Sequence, residues 1–307
     1  MQKSSKILIV GQGDILEQAL QAHLVQEGFS RVVSSQEHPL DVFHQAAVEK
    51  FFEKENPEYV FLASMRSGGI EANQKYPAEF LYANLASQNH VIQASYEHKV
   101  KKLLFFASSC VYPKICPQPM QPQHLLTGPL EPTNEAYSVA KIAGIKMCQS
   151  YRRQYGFPAI VGIPATLYGP GENHDLQTAH VMGALMAKFA HAIKAQEKQV
   201  VVWGTGNPRR EFLFIEDFVK ASTFLMERYD GEESVHIGCG EDVSIKDLAK
   251  AIGKIVGFQG EIIFDQSKPD GAPRKLLDSS LISRLGWKPQ VSLEEGIRQT
   301  WKDYKEN

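Results

Sequence analysis

Over the first half of the chain, short apolar runs alternate with stretches whose apolar positions recur every three to four residues. Ile7-Leu8-Ile9-Val10 is the first such run and ends at Gly11. The spacing then turns helical through Ile15, Leu16, Ala19, Leu20 and Leu24, with Gly28 as a stop. Arg31–Ser34, Tyr59–Ala63, Lys101–Ala107 and Ala159–Ile163 read as further strands. Helical spacing marks the region of Val48, Phe51 and Phe52, residues 78–98, and the stretch from Glu135 to about 155. This alternation predicts right-handed βαβ crossovers and a doubly wound parallel α/β sheet of at least six strands, helices on both faces.

After Pro164 the texture changes. Proline and glycine cluster in Gly169-Pro170-Gly171 and Gly204-Thr205-Gly206-Asn207-Pro208, and apolar runs become short and isolated. The expected organisation is one domain from 1–164 and 211–238, with the latter segment returning to the sheet. A smaller substrate-binding portion is expected from 165–210 and 239–307.

A chain of 307 residues with 43% hydrophobic and 22% charged residues is ordinary for a globular protein with a large core. Thirty-three basic against 35 acidic residues leave no basic field, which argues against nucleic acid as a partner. No apolar run approaches the roughly 20 residues that span a bilayer, and the first residues lead straight into a strand. Cys110, Cys116, Cys148 and Cys239 show neither metal-ligand pairing nor a disulfide pattern. The expectation is a cytoplasmic protein with no metal, no membrane and no nucleic acid.

The candidate chemistry centres on Glu135-Ala136-Tyr137-Ser138-Val139-Ala140-Lys141. Tyr137 and Lys141 are four apart, hence stacked on one helix face. An ammonium beside a phenol is expected to lower the phenol's pKa, so that it can exchange a proton with a carbonyl or alcohol oxygen. Ser108 follows the Lys101–Ala107 strand, and open α/β sheets bind ligands outside the carboxyl ends of their strands. A strand-end serine followed by this tyrosine–lysine pair resembles the short-chain dehydrogenase/reductase superfamily. Other residues read two ways: Cys110 as a buried hydrophobe or a thiol in use, His180 as a helix-start residue or an acid–base group, Arg209-Arg210 as a surface turn or an anion site.

Whole phrases then carry a more specific resemblance. They are Ser108-Ser109-Cys110-Val111-Tyr112-Pro113-Lys114, Leu130-Glu131-Pro132-Thr133-Asn134-Glu135-Ala136-Tyr137, Trp203-Gly204-Thr205-Gly206-Asn207-Pro208-Arg209-Arg210-Glu211-Phe212 and Phe264-Asp265-Gln266-Ser267-Lys268-Pro269-Asp270-Gly271. Together they resemble the GDP-L-fucose synthase family of extended short-chain dehydrogenases/reductases, nearly end to end. The resemblance implies a Rossmann-like dinucleotide-binding domain and a GDP-sugar substrate. It implies Cys110 and His180 as the epimerising pair, and Ser108, Tyr137 and Lys141 as the reducing set. Cofactor contacts are implied at Gly11, Gly13, Asp14, Ile15 and Glu37, and again at Tyr137, Lys141, Pro164 and His180. Arg210 is implied to meet the GDP diphosphate, with Lys188, Trp203 and Lys275 lining the sugar-nucleotide pocket. NADPH and a homodimer built as a four-helix bundle from the helices near 78–98 and 135–155 are also implied.

Several positions depart from the family pattern. Asp14 and Glu17 stand where the glycine-rich turn has glycines, and Glu37 stands where a basic residue would receive a 2′-phosphate. Asp14 also reads as a helix N-cap. Two carboxylates at a diphosphate site predict weak dinucleotide binding, with NADH tolerated better than NADPH. Pro164-Ala165-Thr166 replaces the family's proline-threonine-asparagine. The leading expectation is epimerisation and reduction of a GDP-4-keto-6-deoxyhexose. The alternatives are an epimerase or C4 reductase on a related deoxy sugar or heptose with weakened or NAD-type cofactor binding, or a non-catalytic GDP-sugar-binding paralogue.

Overall fold

The computed structural model describes residues 1–35, 37–38 and 40–306. Its first part runs β1 (Lys6–Val10), α1 (Ile15–Gln26), β2 (Arg31–Ser34), α2 (Gln45–Glu55), β3 (Tyr59–Leu62), α3 (Ile70–Lys75), α4 (Pro77–Glu97), β4 (Lys102–Phe106), α5 (Glu135–Tyr155) and β5 (Ala159–Pro164). Next come β6 (Thr166–Tyr168), α6 (Val181–Lys194), β7 (Gln199–Trp203), β8 (Arg209–Phe214), α7 (Ile215–Arg228) and β9 (Val235–Ile237). The chain ends with β10 (Asp242–Ser244), α8 (Ile245–Val256), β11 (Glu261–Asp265), β12 (Arg274–Lys275), α9 (Ser280–Arg284) and α10 (Leu293–Glu306).

The main sheet has six strands in the order β2-β1-β3-β4-β5-β9, every pairing parallel. The apolar runs explain this. Ile7–Val10 and Leu103–Phe106 are buried on both faces, as a strand between two helix layers requires. The chain steps outward from β1 to β2, then returns to place β3 on the other side of β1. That reversal opens a crevice beyond the carboxyl ends of β1 and β3, next to β4.

A second, smaller core gathers Tyr168, Met182, Met186, Phe189, Phe212, Phe214, Leu248, Ile252 and Ile297. It lies around a four-stranded sheet in which β8 pairs with β10, β12 and β6, and beside the β11–β7 pair. Over the return expected at 211–238, α7 packs into the main core, Phe218 against Phe106 of β4, and β9 joins the sheet, whereas β8 runs between the two cores. Its alternation shows this directly: Leu213 faces the main core, while Phe212 and Phe214 face the smaller one. Among the described residues no helix is long and apolar enough to cross a membrane.

The seating of α5 on the sheet positions everything that follows. A Cβ at Gly144 would lie 2.3 Å from Phe105 Cζ and 2.8 Å from Gln88 Oε1, so only glycine lets α5 approach β4 and α4 this closely. One turn earlier, the buried Gln88 donates through Nε2 to the Ala140 carbonyl at 2.7 Å. Overpacking such a contact costs about 1–3 kcal/mol. Gly144→Ala is therefore expected to lower the thermal midpoint by several degrees, read by circular dichroism. An unchanged midpoint would show that α5 can back away from β4 without loss.

Candidate functional site

Lys141 is 1% exposed and projects from α5 to the carboxyl end of β4, where its Nζ donates to the Phe106 carbonyl at 2.9 Å. The ammonium also sits over the Phe105 ring, 4.6 Å from its centroid, and 6.0 Å from that of Tyr137. Burial depresses its pKa to about 7, with the Cys110 thiol and Asp14 opposing. The Tyr137 hydroxyl lies 2.9 Å from Ser64 Oγ, and the Ser108 hydroxyl is near enough to favour its ionised form. Ser108 itself accepts from the Cys110 amide at 3.5 Å, at the head of a 3-10 turn over Ser109–Val111.

The expectation that Lys141 lowers the Tyr137 pKa is reversed. Burial raises it, the Cys110 thiol adds to the rise, and the Ser64 and Ser108 hydroxyls only partly offset it. The reason is that the cavity disfavours charge on both groups: the amine tends to neutrality, so it offers little positive charge to a phenolate. Tyr137 is thus held as a phenol, suited to donating a proton.

Cys110 is 4% exposed and lies within electrostatic range of Tyr137, Lys141 and Lys275. His180 directly precedes α6 and makes no side-chain cap. Its ring has solvent-exposed surface, yet desolvation lowers its pKa, opposed by Asp14 and reinforced by Lys275. Exposed surface together with desolvation describes a group on the wall of an open cleft. Lys275 lies within electrostatic range of both Cys110 and His180, which are about seventy residues apart in sequence.

At the strand–helix turn, Gly13 has φ +79°, a left-handed conformation that favours glycine. Asp14 is the N-cap of α1 and accepts from the Leu16 and Glu17 amides at 3.2 and 3.4 Å. Glu17 does not face an incoming diphosphate as the sequence reading had it. It is 1% exposed and turned inward, accepting from the Gly13 amide at 2.8 Å and from the Ser34 and Ser35 hydroxyls at 2.8 and 3.2 Å. Burial raises its pKa, and those hydrogen bonds oppose the rise. The Asp14-x-x-Glu17 spacing is that of a capping box, but Glu17 bonds the Gly13 amide rather than that of the N-cap Asp14. Among the described residues, the amides of Gln12, Asp14 and Ile15 have no hydrogen-bond partner. Three free amides at a helix start fit the diphosphate of a dinucleotide, and the Tyr137–Lys141 end fits its nicotinamide. Glu37 lies exposed in the turn after β2, and Pro164 closes β5 against Ile237.

The basic candidates fall into two linked groups. Arg210 donates to the Ala272 and Arg209 carbonyls at 2.6 and 2.8 Å and pairs in register with Lys275. Desolvation lowers the pKa of both, and Glu131 and the neighbouring charges modulate them. Trp203, 46% exposed, lies between Lys188 and Lys268, whose Nζ atoms stand 5.4 and 5.1 Å from its ring centroid. Asp270 ties the groups together: it accepts from the Thr205 amide at 2.9 Å and hydroxyl at 2.7 Å, and it is close to Arg210.

Sequence reasoning missed Ser64, Glu131 and Asp270. Ser64 follows β3 as Ser108 follows β4, so the same strand-end argument reaches it.

The NAD dependent epimerase/dehydratase family matches residues 12–240. The GDP-L-fucose synthase 1 of Arabidopsis thaliana is 50% identical over 305 residues, covering 99% of this chain and 94% of that protein. A GDP-6-OMe-4-keto-L-xylo-heptose reductase from Campylobacter jejuni superposes with a TM-score of 0.93 at 35% identity, covering 100% and 99% of the two chains. A GDP-mannoheptose C4 reductase from Campylobacter jejuni, solved with NADP bound, gives 0.89 at 37% identity over 99% of each chain.

The Lys141 environment carries a stability consequence. Folding must strip a proton from this amine between its depressed pKa of about 7 and its ordinary 10.5. The cost is absent above pH 10.5, grows as pH falls and is complete below about 7. Lys141→Met lacks it, so its thermal midpoint relative to the wild type should be a few degrees more favourable at pH 7 than at pH 10.5. The pH difference is the readout, because loss of the Phe106 carbonyl bond acts at both. Equal shifts at the two pH values would contradict the account.

Proposed function

The chain belongs to the NAD dependent epimerase/dehydratase family, and from that premise we propose that it epimerises and reduces a GDP-4-keto-6-deoxyhexose. Relatives about 50% identical over the whole chain are named as GDP-L-fucose synthases, and GDP-L-fucose is the product such a substrate would give. The observation that carries the reading is the proximity of the Cys110 thiol to both Tyr137 and Lys141, with Lys275 adjoining Cys110 and His180. Epimerising and reducing groups then share one cavity.

A C4 ketone acidifies the protons on C3 and C5, so an acid and a base on opposite faces can invert both centres through enediolates. Cys110 and His180 take these roles. His180 is held neutral by desolvation and can accept a proton; the Cys110 thiol can return one. Tyr137, kept protonated, donates to the C4 oxygen when the ketone is reduced. Ser108 and Ser64 orient that phenol, and the near-neutral Lys141 amine can exchange the proton onward. A bound nicotinamide supplies the hydride. Gly13, Asp14 and Ile15 would hold its diphosphate, and Tyr137, Lys141 and Pro164 would lie at its other end. Arg210 would meet the GDP diphosphate, while Lys188, Trp203 and Lys275 would border the sugar nucleotide.

NADPH is the cofactor supported by the NADP-bound neighbour. Glu17 is turned away, so Glu37 remains the one departure that favours NADH, and we propose that both reduced forms are used. The portions 165–210 and 239–307 would carry the sugar nucleotide. A homodimer through α4 and α5 is supported by the mutual packing of those helices and by the exposure of Tyr82, Val139 and Tyr155 at 63%, 44% and 48%. We propose that the protein acts in the cytoplasm.

Tyr137→Phe is expected to abolish reduction while leaving deuterium exchange at C3 and C5 intact. Cys110→Ser and His180→Gln should each slow exchange by about 10²–10⁴-fold, the usual worth of general acid–base catalysis. Both are read by mass spectrometry of the sugar nucleotide. A Phe variant that reduces at the wild-type rate, or exchange unaffected by both other changes, overturns the assignments.

A further inference from the structure

One buried ionisable group near the diphosphate cradle proposed at Gly13, Asp14 and Ile15 is unused by this mechanism. Glu172 is 7% exposed, and its Oε2 has no hydrogen-bond partner. It sits in the turn after β6, which packs over the first turn of α1: a Cβ at Gly171 would lie 3.8 Å from Gln18 Oε1 and 4.0 Å from Ile15 Cγ1. From the other side α6 closes in, where a Cβ at Gly183 would lie 2.9 Å from Glu172 Cγ. The turn is fixed to α10 by the Gly171 amide, which donates to Asp303 Oδ2 at 2.9 Å. The charged group that acts on Glu172 is Asp14, the N-cap of α1, while His174 bonds the Gly183 carbonyl and Asp303 holds the Gly171 amide of the same turn.

We propose that Glu172 is a further binding residue of the cradle, present in the complex as the neutral acid, so that a dinucleotide diphosphate binds with uptake of one proton wherever Glu172 starts ionised. The inference rests on the cofactor reading above. One proton passes from solvent to the Glu172 carboxylate, and no other bond changes. Burial already holds this carboxyl at about 8, the Asn173 amide lowering it and Asp14 raising it. An ionised Glu172 beside Asp14 repels an entering diphosphate, whereas the acid presents an O–H donor in place of an unsatisfied acceptor.

The test is calorimetric titration with NADPH at pH 7 and pH 9, each in two buffers of different protonation enthalpy. Only about a tenth of the free wild-type protein is neutral at Glu172 one unit above its pKa, so affinity should fall about tenfold more between pH 7 and 9 than in Glu172→Gln. Proton uptake at pH 9 should exceed that of the variant by about one. Comparison with the variant cancels protons exchanged by Lys141 or by the cofactor. Equal uptake and equal pH dependence in the two proteins overturn the proposal while leaving the cofactor reading standing. Failure of NADPH to bind either protein at either pH overturns both. Thermal melting separates a misfolded variant: Glu172→Gln should gain stability over the wild type at pH 9 relative to pH 5, since the buried acid is fully compatible with folding only below its unfolded pKa.

Discussion

The bond from Lys141 Nζ to the Phe106 carbonyl is the contact on which the site depends. It pins the first turns of α5 to the carboxyl end of β4 in a buried place. Tyr137 is four residues before the lysine on the same face, and Ser108 is two residues past the carbonyl that accepts the bond. Fixing that one contact therefore fixes the phenol against the strand-end serine. Gly144 makes the approach possible, since any Cβ there would strike Phe105. The same burial that anchors the amine brings its pKa down to about 7 and keeps the phenol protonated, so the proposed proton transfer needs no standing phenolate.

The cofactor turn obeys a related constraint. Two carboxylates near a helix start would repel a diphosphate, and each has a partner instead. Asp14 spends its acceptors on the amides of Leu16 and Glu17; Glu17 is satisfied by Gly13, Ser34 and Ser35. The amides of Gln12, Asp14 and Ile15 stay available to a ligand. Glycine at the third place of the turn is one way to bring α1 close to β1 and β2; a buried glutamate bonded to two serines of β2 and its turn is another.

The apolar alternation made the six-stranded sheet legible, because a strand covered on both faces must be apolar throughout. Tyr137, Lys141 and Ser108 were legible because helix spacing and strand ends constrain where side chains point. The course of β8 was not, since a strand shared by two cores carries the same alternation as one in either. Pairwise chemistry also misled: a lysine near a tyrosine suggests a lowered phenol pKa, but the outcome turns on desolvation, which only three dimensions reveal. Glu172 belongs to the same class, a charged letter in a glycine-rich loop that tertiary packing removes from water.

The central claim is that one cavity both inverts and reduces. Incubation of the protein with GDP-4-keto-6-deoxymannose and NADPH in heavy water tests it most directly, counting solvent deuterium and cofactor hydride in the product by mass spectrometry. The account predicts non-exchangeable deuterium at both C3 and C5 and one hydride at C4. Reduction without deuterium at either carbon would contradict it and identify a C4 reductase instead.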